Sequence, residues 1–314
     1  MTVTVLNALF RPVLEDKLPG WVDARWFATR DELLALAPEA EIGWFDRPPF
    51  DKAEWIAAIE AAARLKWLNT IFTGVDGLPL AELKARGVVM TNGAGLGAVA
   101  ISEWAVTGIL ALAKGWRAVV HAQDRHEWLS DAPGKAELPG TKALVIGMGA
   151  IGTRIARLLA AFEVDVIGVR RSPGPGELGP DDWRARLGEF DWVILAAPAT
   201  VATTAMIGAA ELAAMKPGSA LINIARGSLV DQDALVAALK AGRPGHALLD
   251  VTTPEPLPPD HPLWSTPGAH VTMHLSGRAQ NSALRLSAER FLANLARWEM
   301  GEPPTPRVDY DAGY

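Results

Sequence analysis

Hydrophobic positions change period along this chain in a way that divides it into short strands alternating with helices. Thr2–Leu6 alternates apolar and polar residues and reads as a strand, and Ala40–Phe45, Leu68–Phe72 and Val88–Met90 read as three more. Between them Asp51 stands as a helix cap, with Glu54 placed for a capping box and Trp55, Ile56 and Ile59 as the apolar stripe. Leu80–Arg86 reads as a short helix closed by Gly87. The glycine-rich joint Thr91–Gly97 leads into one long helical segment from about Ile101 to Arg125. Its apolar residues, among them Trp104, Ile109, Leu112, Trp116 and Val120, cover more than one face. Trp128–Gly140 is loop-like. Alternation of this kind predicts a parallel sheet with helices on both faces.

The next stretch organises the rest. An apolar run, Ala143–Ile146, meets Gly147-x-Gly149-x-x-Gly152, and the residues after it turn to helical spacing through Ile151, Ile155, Leu158 and Leu159. Glycines at these positions permit a tight strand-to-helix turn and a close approach of backbone to a pyrophosphate, which the helix N-terminus attracts. A dinucleotide site is therefore expected over Gly147, Met148, Gly149, Ala150, Ile151 and Gly152. The following strand, Val164–Val169, ends in Arg170, Arg171 and Ser172, where a carboxylate would accept bonds from an adenosine 2′-hydroxyl. Two guanidiniums and a hydroxyl favour a 2′-phosphate instead, so NADP(H) is preferred and NAD(H) remains possible.

Pro173–Gly176 breaks the chain before a helix near Asp181–Leu187. Three further strands each end in a polar residue: Ala220–Ala225 in Arg226, His246–Leu249 in Asp250, and His270–Met273 in His274, with Glu255 in a proline-rich loop. Ligands of an open doubly wound sheet bind beyond the carboxyl ends of its strands, so these side chains share an edge with the glycine turn. Nicotinamide brings hydride chemistry and leaves the protein to orient a substrate and move one proton. His274 suits that proton, and a carboxylate partner, Glu255, would favour the imidazolium. Arg226 suits a substrate carboxylate and the adjacent carbonyl, and Asp250 could accept bonds from the nicotinamide carboxamide. Asn281–Trp298 is a helical return.

Composition narrows the class. At 314 residues, 49% hydrophobic and 21% charged, the chain is long enough for two packed domains rather than disorder. A formal charge of −6 argues against a nucleic-acid surface. The absence of cysteine excludes disulfides and thiolate metal sites, and fits a cytoplasmic location. The start, Met1–Asn7, lacks the features of a signal peptide. The uncharged run Trp192–Ala210 contains Pro198 and many threonines, which makes it a buried strand plus loop rather than a membrane span. No G-x-S-x-G elbow points to serine hydrolysis, and no metal is expected.

Taken together, Leu68–Asp76, Val145–Gly152, Asn223–Asp231, Leu249–Pro258 and His261–Trp264 resemble the D-isomer-specific 2-hydroxyacid dehydrogenase family over essentially the whole chain. The resemblance implies a Rossmann doubly wound parallel-sheet domain, residues 102–280, inserted in a smaller flavodoxin-like α/β substrate domain, residues 1–101 and 281–314. It implies Arg226, Glu255 and His274 as the catalytic set. A substrate loop over Phe72, Thr73, Gly74 and Val75 follows, with Trp104 near the substrate, and further dinucleotide contacts at Ala197, Pro198, Ala225, Asp250, His274 and Ser276. Members are usually dimers through their nucleotide domains, and cleft closure would exclude water. Leu257–Trp264 and the ending Val308–Tyr314 are similar to the glyoxylate/hydroxypyruvate reductase branch, which implies NADPH-dependent reduction of small 2-keto acids. A regulatory domain after the tail, as in the long phosphoglycerate dehydrogenases, is not expected. The family commonly has proline before the catalytic histidine, where this chain has Met273. A dinucleotide-sensing protein like the family's co-repressor branch is the alternative; a formate-type dehydrogenase fits poorly.

Overall fold

The structure is a computed structural model that describes residues 1–46 and 51–314. It contains two compact units, Met1–Leu96 with Gln280–Tyr314, and Gly97–Ala279. The joint precedes the expected Ile101 because the helix beginning there starts at Ala98.

In the first unit the strands are β1 (Thr2–Asn7), β2 (Val22–Phe27), β3 (Ile42–Trp44), β4 (Trp67–Asn69) and β5 (Val89–Thr91). They form a wholly parallel sheet in the order β2-β1-β3-β4-β5, the flavodoxin-like arrangement. Its helices are α1 (Arg11–Leu14), α2 (Arg30–Leu36), α3 (Lys52–Ala61) and α4 (Leu80–Ala85), before the return of the chain end. Asp51 caps α3 through Ala53 and Glu54 N–H, and Trp55 and Ile59 are buried as the periodicity predicts. The sheet buries both faces. Val5, Leu68 and Met90 face one core, and Leu6, Ile42, Trp44 and Trp67 face the other. The helix Ala283–Glu299 closes that second core, with Phe291 5.1 Å and Trp298 5.7 Å from the Trp67 ring. This packing is why the chain's last segment belongs to its first unit.

The second unit is built on β6 (Lys142–Ile146), β7 (Asp165–Val169), β8 (Trp192–Leu195), β9 (Ala220–Asn223), β10 (His246–Leu249) and β11 (Ala269–Val271). All pairings are parallel, in the order β11-β10-β9-β8-β6-β7, so the winding reverses between β6 and β8. Alternate residues feed opposite cores, Leu144 and Ile146 into one and Ala143 and Val145 into the other, which is why these strands read as unbroken apolar runs.

Two expectations about the helices are corrected. The long helix is two, α5 (Ala98–Ala113) and α6 (Trp116–Asp124), bent by 73°. Gly115 makes the break with φ +60°, and a Cβ there would lie 2.8 Å from the backbone of Gly134. The helix near Asp181–Leu187 is instead a 3₁₀ segment, Arg184–Glu189. The sequence reading also passed over β2 and α2, although Thr29 and Glu32 form a complete capping box. Among the described residues no single helix is long and apolar enough to cross a membrane.

One buried charge ties the strand ends of the first unit together. Asp46, just past β3, is 3% exposed and accepts from Trp44 Nε1 at 3.0 Å, Thr70 Oγ1 at 2.9 Å and Ile71 N at 2.6 Å. Burial outweighs these bonds and pushes its carboxyl from 3.8 to about 6. Between those values the folded state holds the proton more tightly than the unfolded chain, so this group's contribution to stability falls as pH rises and then levels. Across the window, wild-type stability measured by urea unfolding should fall relative to Asp46→Asn by about 3 kcal/mol. A difference that stays constant with pH would contradict this.

Candidate active site

The glycine turn between β6 and α7 (Ala150–Ala160) shows what each glycine does. Gly147 has φ +102°, and a Cβ on it would lie 2.5 Å from Ala197 N, at the point where the winding reverses. A Cβ on Gly152 would lie 2.1 Å from Gly147 O, so this glycine lets the helix sit against the strand end. Gly149 is different, because its Cβ position meets nothing within 4 Å. Two glycines thus serve the turn's own packing and the third leaves open space at a helix N-terminus. That is the fit expected of a cradle for a dinucleotide pyrophosphate. A cavity of 610 Å³ runs from Gly149 and Ala150 along Thr153, Arg154 and Arg157 to Arg170. Arg170, Arg171 and Ser172 are exposed just past β7, with Arg170 Nη2 3.4 Å from Thr153 Oγ1. Arg154 and Arg157 were missed in the sequence, where two arginines three apart on the first helical turns were the available signal.

Beyond β9, Asn223 folds the chain back on itself. Its Oδ1 accepts from Ala225 N at 3.1 Å and its Nδ2 donates to Arg226 O at 2.8 Å, which presents Arg226. A Cβ on Gly227 would lie 2.1 Å from the backbone of Thr252, so the turns after β9 and β10 touch. Gln232, also unforeseen, grips Thr253 by accepting from its N–H at 2.9 Å and donating to its carbonyl. These contacts bring Glu255 into the field of Arg226. Its Oε1 accepts from Thr252 N at 3.0 Å, and its Oε2 lies 2.8 Å from His274 Nδ1. Burial pushes the Glu255 carboxyl up, but bonds from His274 and Thr252 and the charges of His274 and Arg226 leave it below the usual range. It therefore stays a carboxylate facing Nδ1.

His274 itself sits on an unusual backbone. It and Met273 have φ +54° each, a left-handed conformation that costs about 1–3 kcal/mol per residue outside glycine. Asp250 holds it there. The His274 N–H donates to Asp250 O at 2.5 Å. The buried Asp250 carboxylate accepts from Thr272 Oγ1 at 2.7 Å, Leu275 N at 3.0 Å and Ser276 Oγ at 2.5 Å. Its oxygens are thus already engaged in fixing the histidine turn, a task unforeseen when it was assigned to the nicotinamide. Trp104, an expected pocket residue, donates from Nε1 to Thr272 Oγ1 at 3.1 Å and braces the same turn.

In the first unit the loop Phe72–Val75 is held from below and from the side. Thr70 Oγ1 accepts from Phe72 N at 3.0 Å, Gly93 N donates to Phe72 O at 2.8 Å, and Asn92 Nδ2 donates to Thr73 O at 2.9 Å. The N–H groups of Gly74 and Val75 have no acceptor among the described residues.

A family profile described as D-isomer specific 2-hydroxyacid dehydrogenase, NAD binding domain, matches residues 106–276. The chain is 32% identical over 265 residues to the glyoxylate reductase of Korarchaeum cryptofilum (strain OPF8), covering 80% of this chain and 78% of that protein. It spans about half the length of the D-3-phosphoglycerate dehydrogenases that it also matches. Among solved structures it resembles a D-isomer specific 2-hydroxyacid dehydrogenase family protein from Aeromonas salmonicida subsp. salmonicida A449, with TM-score 0.85, 27% identity and 99% of each chain covered. It also resembles a D-isomer specific 2-hydroxyacid dehydrogenase from Xanthobacter autotrophicus Py2 in complex with NADPH and MES. There the TM-score is 0.79 and the identity 25%, covering 100% of this chain and 99% of that one. Matches of this extent fall on a glycine turn whose packing alone suits a dinucleotide, and the chain belongs to the D-isomer-specific 2-hydroxyacid dehydrogenases, NAD(P)-dependent oxidoreductases.

Proposed function

We propose that this protein reduces small 2-keto acids, of the glyoxylate and hydroxypyruvate type, with NADPH preferred over NADH. The observation that carries the reading is the 2.8 Å contact of His274 Nδ1 with the Glu255 carboxylate, in the field of Arg226. Glu255 keeps the proton on Nδ1 and stabilises the imidazolium, which leaves Nε2 to donate to the carbonyl oxygen as the bond to hydrogen forms at carbon. Bound nicotinamide supplies that hydride. Arg226 grips the substrate carboxylate and polarises the carbonyl. Arg170, Arg171 and Ser172 take the 2′-phosphate, and a related structure in complex with NADPH supports this preference. A homodimer through the second unit is supported by exposed apolar residues after the bend, Trp116 and Val120 on α6 and Trp128 and Leu129 beyond it.

The test mixes NADPH or NADH with a panel of keto acids and follows loss of the reduced cofactor. Arg226→Ala should lower kcat/KM roughly 10²-fold, chiefly through KM. His274→Ala should lower kcat by about 10²–10⁴-fold while NADPH binding persists. Normal turnover in His274→Ala would remove the assignment, and no turnover on any acid by the wild type would remove the reading.

Met273 gives a second test, because its backbone lies in the left-handed region. At φ +54° the position cannot accept a ring that fixes φ near −65°. Met273→Pro should lower both the melting temperature and turnover, whereas Met273→Gly should retain both, glycine being at ease in this conformation. A proline variant as stable and active as wild type would show that the left-handed turn is not required.

A further inference from the structure

The arginines expected to favour a 2′-phosphate have a built-in opponent. After β7 the chain folds back on the strand, with Arg170 N donating to Leu178 O at 3.0 Å and Leu178 N to Gly168 O at 2.8 Å. This brings Glu177 against Arg170. Glu177 Oε1 accepts from Arg170 Nε at 2.8 Å, and Oε2 accepts from Gly174 N at 2.9 Å. The Gly174 bond and the Arg170 guanidinium hold this carboxyl below its usual range, so it is ionised at neutral pH. Arg170 meanwhile directs Nη2 toward Thr153, into the cavity that Arg154 and Arg157 also line. Glu103, on α5, lies 3.8 Å from Arg154, whose Nε is buried without a hydrogen-bond partner among the described residues. The cavity is thus cationic, with one carboxylate placed directly on the arginine nearest the strand end.

We propose that Glu177 is a specificity-determining residue, whose carboxylate weakens the hold of Arg170 on a 2′-phosphate and so sets how far the site prefers NADP(H) over NAD(H). The inference rests on the NADP(H) reading given above. A phosphate on the remaining Arg170 N–H groups is attracted by the guanidinium and repelled by the carboxylate bound to its other side. A 2′-hydroxyl carries no charge and is insensitive to that opposition. Glu177 therefore acts on one cofactor and not on the other, without touching the nicotinamide end.

Calorimetric titration with 2′,5′-ADP and 5′-AMP isolates this end of the cofactor. Glu177→Gln, which keeps the shape and removes the charge, should raise 2′,5′-ADP affinity roughly three- to tenfold at low salt and leave 5′-AMP affinity unchanged. Glu177→Asp, which keeps the charge, should stay near the wild-type ratio. An unchanged or lowered 2′,5′-ADP affinity in Glu177→Gln would overturn the proposal. So would an equal weakening of both ligands, the mark of a purely structural residue. Wild-type protein that binds the two fragments equally would remove the NADP(H) reading. The change in their ratio on Glu177→Gln tests the role of Glu177 whatever that starting ratio is.

Discussion

The hold of one buried carboxylate on one turn governs the chemistry of the second unit. Asp250 spends its oxygens on Thr272, Leu275 and Ser276, and its backbone carbonyl on His274. Two consecutive residues in the left-handed region would relax if left to themselves, and together their strain amounts to several kcal/mol. Hydrogen bonds to a buried anion are among the stronger available and can offset that cost. What the strain secures is direction, because it places His274 Nδ1 on Glu255.

The rest of the arrangement follows from a parallel sheet covered on both faces. Strands buried on each side have no place for charge except at their ends. Arg226, Asp250, Glu255 and His274 accordingly come from turns after β9, β10 and β11, and the glycine turn from the end of β6. Close contacts without side chains stitch these turns together. Gly147 lies against Ala197, and Gly227 against Thr252. Small residues at those points determine whether the polar groups meet.

Much of this was legible in the sequence because it depends on period and punctuation. Strand runs such as Ala143–Ile146 and Ala220–Asn223, the Asp51 cap and the glycine spacing each state a local rule that tertiary structure did not override. The bend at Gly115 was not legible, because nothing local distinguishes a glycine packed on Gly134 from one tolerated inside a helix. Asp250 was recognised as polar at a strand end, but its partners lie more than 20 residues on and no spacing reveals them. Glu177 had no signal of its own in the sequence, because only the return of Leu178 onto β7 places it on Arg170. Local rules predict elements; the side chains that discipline a site are set by contacts across turns.

The claim on which the account turns is that an acid-paired imidazole donates the proton. Hydride transfer from NADPH to a keto acid, followed in a single turnover across pH, measures it directly. The rate should fall as pH rises and the imidazole loses the proton that it donates. Glu255→Gln should slow the step, because Nδ1 then faces no carboxylate to hold its proton and orient the ring. A rate that is flat with pH, or one that Glu255→Gln leaves unchanged, would contradict the account.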